Sequence, residues 1–564
     1  MSSPIQLTIE KYAFNPTSLK DVNAFSFAKD LWPIVYILSD NKEAYVGETI
    51  NTFSRLSTHL ESHEKKKLSS AHLIGGNTFN KSVTLDLESK LIKYIAGDGQ
   101  YKLLNANLGL VNHNYYQKEA GYKTLFPLVW KELMRLKVCK HAIEQIDNSD
   151  LFKYSPYKTL SKDQKLGLRS IMLSLLNKEY KQVLIEGGAG TGKTVLAVFL
   201  FKLLHTSYED FNFSDFEEDD FEFFDLVKKL KKEYPNPRMA LVIPMESFRN
   251  TIKKVFKNVK GLNADMVIGP AEIIKDDYDL VLIDEAHRLR RRVNLGSYFG
   301  RFDEICAQLG LDKNEVSELD WILKKSRKTV LFYDQNQSIK PSDAKKGDFD
   351  KLKRDRFTGV EKLQSQFRVR AGNDYIEYVD KLLSCSLPSN SQKKVFKNYE
   401  FLLFDNIRTF KKEIEARNKK GGLSRLIAGY SWGWVSKNDK KAYDITIDGL
   451  KLKWNSVSKD WVNSPEAINE VGCIHTTQGY DLNYAGVIFG EEISYDKKKN
   501  EIIIWKENYY DKNGKNSIED PAELKAFIIN IYKTIMFRGI KGTFVYVCDD
   551  ELREYLGNYI EVVK

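Results

Sequence analysis

The sequence is poor in cysteine and has no long hydrophobic run. Its five cysteines lie far apart in 564 residues and form no C-x-x-C pair, which argues against a zinc module and favours a reducing compartment over a disulfide framework. No uninterrupted stretch of apolar residues is long enough to span a membrane, and the N-terminus has no basic segment followed by an apolar one. These absences predict a cytoplasmic protein that is neither secreted nor membrane-spanning.

The composition is that of an ordinary folded protein. Hydrophobic residues make up 42% of the chain and charged residues 29%, so disorder is not the expected state. The length suits about three to five domains. The formal net charge is +10, which fits either contact with a polyanion or merely a solvated basic surface.

A glycine-rich stretch from Val183 to Thr194, VLIEGGAGTGKT, has the pattern of a phosphate-binding loop. A strand-like apolar run precedes it, and a helical run from Val195 to Leu204 follows it. The G-x4-G-K-T spacing leaves backbone N–H groups pointing into one concavity at a helix N-terminus, where a nucleotide's phosphates bind. The residues predicted to contact ATP in this loop are Gly187, Gly188, Ala189, Gly190, Thr191, Gly192, Lys193 and Thr194. Lys193 is expected to reach the β- and γ-phosphates, and Thr194 is expected to bind Mg²⁺.

A second block supplies two carboxylates. Asp279 to Ile283 is a short strand of the buried type, and Asp284 and Glu285 follow it directly. An acidic pair at the carboxyl end of a strand, opposite a phosphate loop, is what ATP hydrolysis needs. Asp284 is predicted to hold magnesium through a water, and Glu285 to orient and deprotonate the attacking water.

Later blocks resemble superfamily 1 helicases in kind and order. They are the strand Lys328–Phe332 followed by Gln337, LQSQFR ending in Arg368, HTTQGYD with Gly479 and Asp481, the strand-like run Ala485–Phe489, and Arg538 before a last strand. The segments GCIHTTQGYDLNYAGVIFGEE and AGYSWGWVSK closely resemble the Schlafen-like group of superfamily 1 helicase-type ATPases found in bacteria. This resemblance implies two RecA-like parallel-sheet lobes, residues 159–345 and 346–564.

The resemblance also implies roles for individual residues. Gln337 would touch the γ-phosphate, and Arg368 and Arg538 would be arginine fingers that clamp the transition state. The further residues assigned to the nucleotide site are Gln164, Gly479 and Asp481. Gln164 is expected to read adenine, although a single glutamine on a helix is more often a surface residue.

The first 125 residues carry a different pattern. Two β-type runs, Pro33–Leu38 and Glu43–Gly47, are separated by a turn-rich tetrapeptide and predict a hairpin. A helix is expected to follow, with Asn51, Arg55 and His59 on one face because they are four residues apart.

These residues resemble the GIY-YIG nuclease family. Its two tripeptides would be Ile34-Val35-Tyr36 and Tyr45-Val46-Gly47, and its glutamate would be Glu88 on a helix predicted over Val83–Ala96. The site residues that this resemblance implies are Tyr36, Tyr45, Arg55, His59 and Glu88, with Asn105 or Asn107 as the family's asparagine.

In this interpretation Glu88 is the single carboxylate that binds Mg²⁺ or Mn²⁺. Tyr36 or Tyr45 would help to activate the attacking water, and Arg55 would stabilise charge that develops on the phosphate. Two positions depart from the family pattern: Ile34 stands in place of glycine, and Glu48 stands where a basic residue is common. The alternative is a hairpin and helix that only stabilise the protein.

The predicted fold class is therefore α/β, with a small α+β GIY-YIG domain followed by two RecA-like lobes. The expected boundaries are 1–125 for the first domain and 126–158 for a connector that contains one amphipathic helix over Pro127–Ile146.

Several charged and aromatic groups lie outside these motifs. The acidic, phenylalanine-rich insertion 209–225 is expected to be a flap, a nucleic-acid mimic or a solvated segment, and Lys65-Lys66-Lys67 is expected to be solvated. Residues that could contact nucleic acid are Arg288, Arg290, Arg291 and Arg292, and Trp432, Trp434, Trp454 and Trp461, although tryptophans beside a strand are more often core.

Together these features predict an ATP-hydrolysing, helicase-like enzyme with a metal-dependent endonuclease, acting on DNA in defence against foreign DNA or in repair. Fusions of a nuclease to such an ATPase in prokaryotes suggest the biological role by analogy. The open alternatives are an ATP-controlled nucleic-acid sensor with an inactive nuclease fold and an RNA-directed nuclease. A homo-oligomer or a partner defence protein is compatible with either function.

Overall fold

The computed structural model describes residues 6–105, 115–116, 118–188, 190–206, 221–335, 337, 341–363, 368–389, 391–457, 460–477, 479–511, 515 and 518–564. The chain divides into two compact units. The first unit comprises Met1–Asn177, Thr194–Pro237 and Asn250–Val267, and the second comprises Lys178–Lys193, Arg238–Arg249 and Ile268–Lys564.

The first unit contains a five-stranded sheet. Its strands are β1 (Leu7–Ala13), β2 (Ile34–Ser39), β3 (Glu43–Thr49), β4 (Ser70–Gly76) and β5 (Lys102–Leu103), in the order β1-β4-β2-β3-β5. β2 and β3 form the predicted antiparallel hairpin, with Tyr36 opposite Gly47. Gly47 is required there because a Cβ atom at this position would overlap the Tyr36 phenol. The apolar face of the sheet packs on buried side chains that include Val22, Phe25 and Leu56.

In the part of the chain that the structure describes, ten α-helices lie before residue 258. They are α1 (Thr52–Glu61), α2 (Lys81–Asp98), α3 (Lys118–Gly121), α4 (Leu125–Arg135), α5 (Ile143–Asp147), α6 (Asp150–Lys153), α7 (Lys162–Leu176), α8 (Lys193–His205), α9 (Phe221–Glu233) and α10 (Glu246–Lys257). Asn51 is the N-cap of α1, its side chain accepting from the Ser54 N–H, so it precedes the helix instead of lying on its face. The part of the acidic insertion that the structure describes, 221–225, is the start of α9, and 209–220 lie outside the described residues.

The predicted connector helix over Pro127–Ile146 is wrong in extent. α4 ends at Arg135, and Lys137 adopts a left-handed conformation with φ 58°, which a continuing helix cannot accommodate. The chain then turns back, because the Asp98 carboxylate accepts hydrogen bonds from the N–H groups of Lys140 and His141. Helical structure resumes only at α5.

The second unit contains two large sheets. The first has β6 (Gln182–Gly187), β7 (Met239–Val242), β8 (Val267–Ile268), β9 (Tyr278–Ile283), β10 (Ser326–Tyr333) and β11 (Thr358–Leu363) in the order β11-β6-β10-β9-β7-β8. The pairings of β11 with β6, β6 with β10, β10 with β9 and β9 with β7 are all parallel. Because β6 and β9 run in the same direction, the phosphate loop and the acidic pair leave the same edge of this sheet.

The second sheet is also almost wholly parallel. It has β12 (Glu400–Phe404), β13 (Ser424–Ala428), β14 (Ile445–Ile447), β15 (Leu450–Trp454), β16 (Glu470–Gly472), β17 (Leu482–Phe489), β20 (Gly539–Val547) and β21 (Glu561–Val563), in the order β14-β15-β16-β13-β17-β20-β12-β21. β14 pairs antiparallel with β15, and β18 (Ile493–Asp496) with β19 (Glu501–Ile504) forms a separate hairpin. The helices of this part are α11 (Phe299–Leu309), α12 (Glu318–Lys325), α13 (Lys346–Arg354), α14 (Asn373–Leu383), α15 (Ile407–Gly421), α16 (Ile474–Thr477), α17 (Pro521–Met536) and α18 (Asp550–Gly557).

The predicted α/β class with two RecA-like parallel-sheet lobes is confirmed. Parallel strands buried on both faces explain why these segments read as continuous apolar runs. All five cysteines are free thiols. No helix in the described ranges is long and apolar enough to cross a membrane.

Candidate nucleotide site and N-terminal tyrosine cluster

The phosphate loop connects β6 to α8. Gly190 and Gly192 have φ of 78° and 83°, a left-handed conformation that glycine adopts without steric cost. Thr191 closes the turn, its hydroxyl donating to the Gly188 carbonyl at 3.1 Å. Ala189 lies outside the described residues.

Lys193 lies at the mouth of this loop. Its Nζ donates to the carbonyls of Gly187 at 2.6 Å and Gly188 at 2.8 Å, and it is 3.6 Å from Oδ2 of Asp334. Asp334 follows β10 and also accepts from Nε2 of Gln337 at 2.6 Å. The predicted sensor glutamine and the loop lysine therefore share one carboxylate, which sequence reasoning did not single out.

The acidic pair stands at the end of β9. Asp284 is fully buried, and its Oδ1 accepts from the Glu285 N–H at 3.1 Å. Glu285 has φ 55° and ψ 47°, a left-handed conformation that is rare for a residue with a side chain. Such backbone strain clusters at functional sites because the surrounding structure must hold it in place.

Neighbouring hydrogen-bond donors and cations hold the Glu285 carboxyl in its ionised form. Burial raises the pKa of Glu285, but His287, Lys193 and Arg538 together outweigh it and hold that pKa below its usual range. Arg538 is 2% exposed and comes directly before β20 of the second sheet. The structure thus brings the loop lysine, the acidic pair and an arginine of the other lobe into one electrostatic site.

His287 is a further member of this site, for which the sequence predicted no role. Its Nε2 lies 2.9 Å from Oε2 of Glu285. Its Nδ1 accepts from the Asp334 N–H at 3.4 Å, so the proton of a neutral imidazole is on Nε2 and faces the carboxylate. The imidazole therefore connects the ends of β9 and β10.

The other residues predicted for the nucleotide site make contacts elsewhere in the protein. Arg368 forms an ion pair with Asp481, and Gly479 has φ 84°, where a Cβ atom would approach the Phe248 ring to 2.9 Å. In the first unit, the Gln164 carboxamide accepts from the Ser161 N–H at 3.0 Å and so caps α7. Thr194 follows Lys193 in α8.

A cavity of about 900 Å³ opens in the second unit, between the two lobes. Its lining combines aromatic side chains with both charges: Arg288, Arg290, Asp343, Tyr430, Trp432, Trp434, Lys437, Trp454, His475, Tyr510 and Asp511. Three of the four tryptophans proposed for base stacking line it, whereas Trp461 is fully buried in the core.

The arginine run after the acidic pair has partners within the protein. Arg288 forms a buried ion pair with Asp343, and Arg292 is bidentate to Asp303 at 2.7 and 2.9 Å. Arg291 donates to a backbone carbonyl, and Arg290 lies 4.3 Å above the Tyr298 ring. Of the four, Arg288 and Arg290 line the cavity.

A second cluster forms in the first unit around the hairpin. Tyr36 is fully buried, and its hydroxyl is 2.7 Å from Nε2 of His59. The Tyr45 ring meets the His59 ring edge-on at 5.0 Å. Arg55 interacts with both phenol groups, and Glu88 adds its charge to the surroundings of Tyr36. The five residues that the sequence assigned to one site therefore lie together.

The two rings at the centre of this cluster are held neutral. Burial raises the pKa of Tyr36 well above its ordinary value, Tyr45 and Glu88 add to the rise, and Arg55 opposes it. Burial together with the nearby Lys65 and Arg55 lowers the pKa of His59 to about 3.

Other predicted N-terminal residues have structural partners. Asn105 is 1% exposed and pairs with the backbone of Val46, accepting from its N–H at 3.0 Å and donating to its carbonyl at 2.8 Å. Asn107 lies outside the described residues. Glu48, at the position where a basic residue is common, pairs with Lys81 at 2.5 Å.

The prediction that Lys65 is solvated is wrong. Its Nζ lies 3.8 Å from the centre of the Tyr45 ring and 3.4 Å from Nδ1 of His59. The sequence offered no signal for this, because three consecutive lysines carry no indication of which one faces the protein.

A parallel sheet with a phosphate loop, an acidic pair at the same sheet edge and an arginine from a second parallel sheet define a helicase-type P-loop ATPase. More closely, the chain belongs to the family Schlafen group 3, DNA/RNA helicase domain, whose model matches residues 180–549. The helicase part of the resemblance is thereby confirmed. The tyrosine cluster lies before the matched range, so its assignment to the GIY-YIG family remains a prediction.

Related proteins were also found by sequence and by structure. The chain is 27% identical over 442 residues to Uncharacterized protein YPL245W of Saccharomyces cerevisiae, covering 71% of this chain and 90% of that protein. A Bacteroides Pif1 helicase in complex with ADP-AlF3 and ssDNA is 12% identical, with a TM-score of 0.26, over 68% of this chain and 92% of that one. Dbp5 of S. cerevisiae bound to RNA and ADP BeF3 is 12% identical, with a TM-score of 0.29, over 76% and 95%. Because these structural similarities are weak, the fold is assigned from the sheets of this chain and from the family model.

Proposed function

We propose that this protein hydrolyses ATP between its two lobes and couples that hydrolysis to nucleic acid, which an N-terminal metal-dependent nuclease site cuts. The observation that carries the ATPase proposal is the buried Glu285 carboxyl, held in a left-handed backbone conformation at the end of β9 and acted on by His287, Lys193 and Arg538. An ionised carboxylate next to a phosphate loop suits the residue that orients the attacking water. Arg538 is suited to stabilise charge on the γ-phosphate because its guanidinium can bind two phosphate oxygens at once.

The donors available in this site fit Mg²⁺. Asp284 is a buried carboxylate at the strand end in the second unit, and Thr194, which follows Lys193 in the chain, is proposed to add a hydroxyl. Mg²⁺ usually takes one or two carboxylates together with waters and substrate phosphates, and when bound it neutralises charge between the phosphates.

The nuclease proposal is supported by the clustering of Tyr36, Tyr45, Arg55 and His59 with Glu88. Glu88 is half-buried on α2, and its carboxylate is the proposed ligand of a hydrated Mg²⁺ or Mn²⁺, which would polarise a phosphodiester. Arg55 would stabilise charge on the phosphate, and Tyr36 would hold the attacking water by a hydrogen bond. The proposed reaction is hydrolysis of a phosphodiester, in which water forms the new P–O bond and the sugar oxygen leaves.

The aromatic and charged cavity of the second unit is the proposed path of the nucleic acid. Its tryptophans and tyrosines offer stacking faces, and Arg290 and Lys437 supply positive charge. We propose DNA as the substrate, with a role in defence against foreign DNA or in repair, and RNA as the competing substrate.

The test is a substrate panel with Mg²⁺, with and without ATP. Single- and double-stranded DNA and RNA are incubated with the wild type, Glu88→Ala and Lys193→Ala, and both cleavage and ATP turnover are measured. We expect Glu88→Ala to abolish cleavage and leave ATP turnover intact. Equal cleavage by Glu88→Ala and the wild type would remove the nuclease assignment. Normal ATP turnover without cleavage of any substrate would instead favour an ATP-controlled nucleic-acid sensor.

A further inference from the structure

Lys65 is distinguished from its neighbours by its surroundings. It begins a short 3-10 helix, Lys65–Lys67, that follows α1. Lys66 and Lys67 are exposed, whereas Lys65 lies over the Tyr45 ring and beside His59. The Lys65 ammonium thus makes a cation–π contact with the Tyr45 ring and at the same time approaches an imidazole nitrogen, two contacts that a solvated lysine does not make.

The chemistry of the ammonium fixes the role of each imidazole nitrogen. An ammonium group can only donate hydrogen bonds. At 3.4 Å from Lys65 Nζ, Nδ1 of His59 must therefore present its lone pair. The low pKa of His59 keeps the ring neutral, and a neutral imidazole has a single N–H, which is then on Nε2.

This tautomer determines the direction of the next hydrogen bond. Nε2 lies 2.7 Å from the Tyr36 hydroxyl, so His59 donates and the phenol oxygen accepts. Arg55, which also has only donors, interacts with the same phenol. The Tyr36 hydroxyl hydrogen can satisfy neither neighbour and is left for a third acceptor.

We propose that Lys65 is a positioning residue that locks His59 in the Nε2–H tautomer and thereby turns the Tyr36 hydroxyl hydrogen away from His59, so that it is donated to a phosphate oxygen of the substrate. The last step rests on the proposed nuclease function; the tautomer lock does not. Without Lys65, the alternative tautomer would let Tyr36 donate to His59 and lose its hydrogen bond to substrate.

The lock can be tested on the full chain without any substrate. Selective ¹⁵N labelling of histidine, with His59→Gln to assign the signal, shows by NMR which ring nitrogen carries the proton. We expect a protonated Nε2 in the wild type and in Lys65→Arg, which keeps a donor, and a shift towards protonated Nδ1 in Lys65→Met. Lys66→Met removes the same charge from an exposed neighbour and should leave the wild-type tautomer unchanged.

The same variants are then compared in cleavage. Lys65→Met should lower kcat by roughly 10- to 100-fold with a smaller effect on KM, as expected for loss of an oriented hydrogen-bonding group, whereas Lys66→Met should retain the wild-type kcat. The inference would be overturned if Nδ1 of His59 is protonated in the wild type, or if Lys65→Met leaves the His59 tautomer unchanged. Either result would do so even if Glu88-dependent cleavage is found. If Lys65→Met changes the His59 tautomer but the wild-type protein cleaves no substrate, the role of Lys65 in setting the tautomer is supported and the proposed nuclease activity is refuted.

Discussion

At the scale of single residues, His287 decides how strongly Glu285 is held as a carboxylate. It is one of three cationic or donor groups that oppose the burial of this carboxyl, and it lies 2.9 Å away. In its proposed role Glu285 must be ionised to orient water, so its depressed pKa would keep ATP hydrolysis active at acidic pH. Removing a stabilising neighbour raises the pKa and moves the acidic limb of activity upwards.

We therefore expect His287→Ala to lower the kcat for ATP by roughly 10- to 100-fold and to move the acidic limb of its pH profile to higher pH. The measurement is steady-state ATP turnover over a pH series. His63→Ala, at an exposed histidine, is the control and should follow the wild-type profile. A variant with reduced kcat but an unchanged acidic limb would show that His287 does not act through the Glu285 carboxyl.

Trp434 and Trp505 form a matched pair for testing the cavity. Their side chains are 41% and 44% exposed, yet Trp434 lines the cavity and Trp505 is not among its lining residues. If bases stack there, Trp434→Ala should weaken nucleic-acid binding by about 1–3 kcal/mol, which is roughly 5- to 150-fold in Kd. Fluorescence polarisation with labelled DNA and RNA oligonucleotides measures this, and equal Kd values for the two variants would exclude stacking on Trp434.

At the scale of elements, Asn105 extends the pairing of β3 beyond the end of β5. The Leu104 N–H donates to the Ala44 carbonyl at 2.8 Å, and the Asn105 side chain then takes both backbone groups of Val46. A side-chain amide can do this because it carries the same donor and acceptor as a peptide group. β3, which carries Tyr45, is thereby held by Asn105, a residue that the sequence analysis assigned to the GIY-YIG pattern.

Asn105→Ala should leave the Val46 N–H and carbonyl unsatisfied, at a cost of about 1–3 kcal/mol. Hydrogen exchange of β3 should become faster, and the melting temperature of the protein should fall. Asn23→Ala, at an exposed asparagine, should change neither. Loss of cleavage in Asn105→Ala with unchanged exchange in β3 would instead indicate a direct role of Asn105 in the reaction.

At the scale of the whole molecule, the question is whether ATP governs the proposed nuclease. Lys193 is 6% exposed, and its ammonium is held by two loop carbonyls and Asp334. Lys193→Ala removes the group that would bind the β- and γ-phosphates without removing a core side chain. We expect ATP turnover to fall below detection while circular dichroism and melting remain close to the wild type.

Cleavage by Lys193→Ala then separates two possibilities. If ATP controls the nuclease, cleavage by this variant should no longer respond to ATP. Undiminished cleavage under every ATP condition, matching the wild type throughout, would show that the phosphate loop does not govern the nuclease. Glu88→Ala serves as the opposite control, since its ATP turnover should persist.

The sequence by itself determined the parts of this protein that depend on local pattern. The order of strand, glycine turn and helix, the apolar runs of the parallel lobes and the hairpin before Arg55 all follow from short-range periodicity and from backbone conformations that only glycine adopts easily. Most predicted strands and helices accordingly appear close to their expected bounds. The predicted connector helix was too long because Lys137, in a left-handed conformation, ends the helix although the apolar spacing of the sequence continues.

Only the tertiary structure decided which side chains face one another. His287 and Asp334 join the candidate nucleotide site and Asn105 becomes a backbone clamp because segments far apart in the chain meet in the fold, whereas Lys65 joins the tyrosine cluster because the turn after α1 brings it beside His59. Neither composition nor spacing contains the distance between residues on different strands. Burial and the resulting pKa shifts of Glu285 and His59 arise from that same packing, since they depend on which charges lie within a few ångströms.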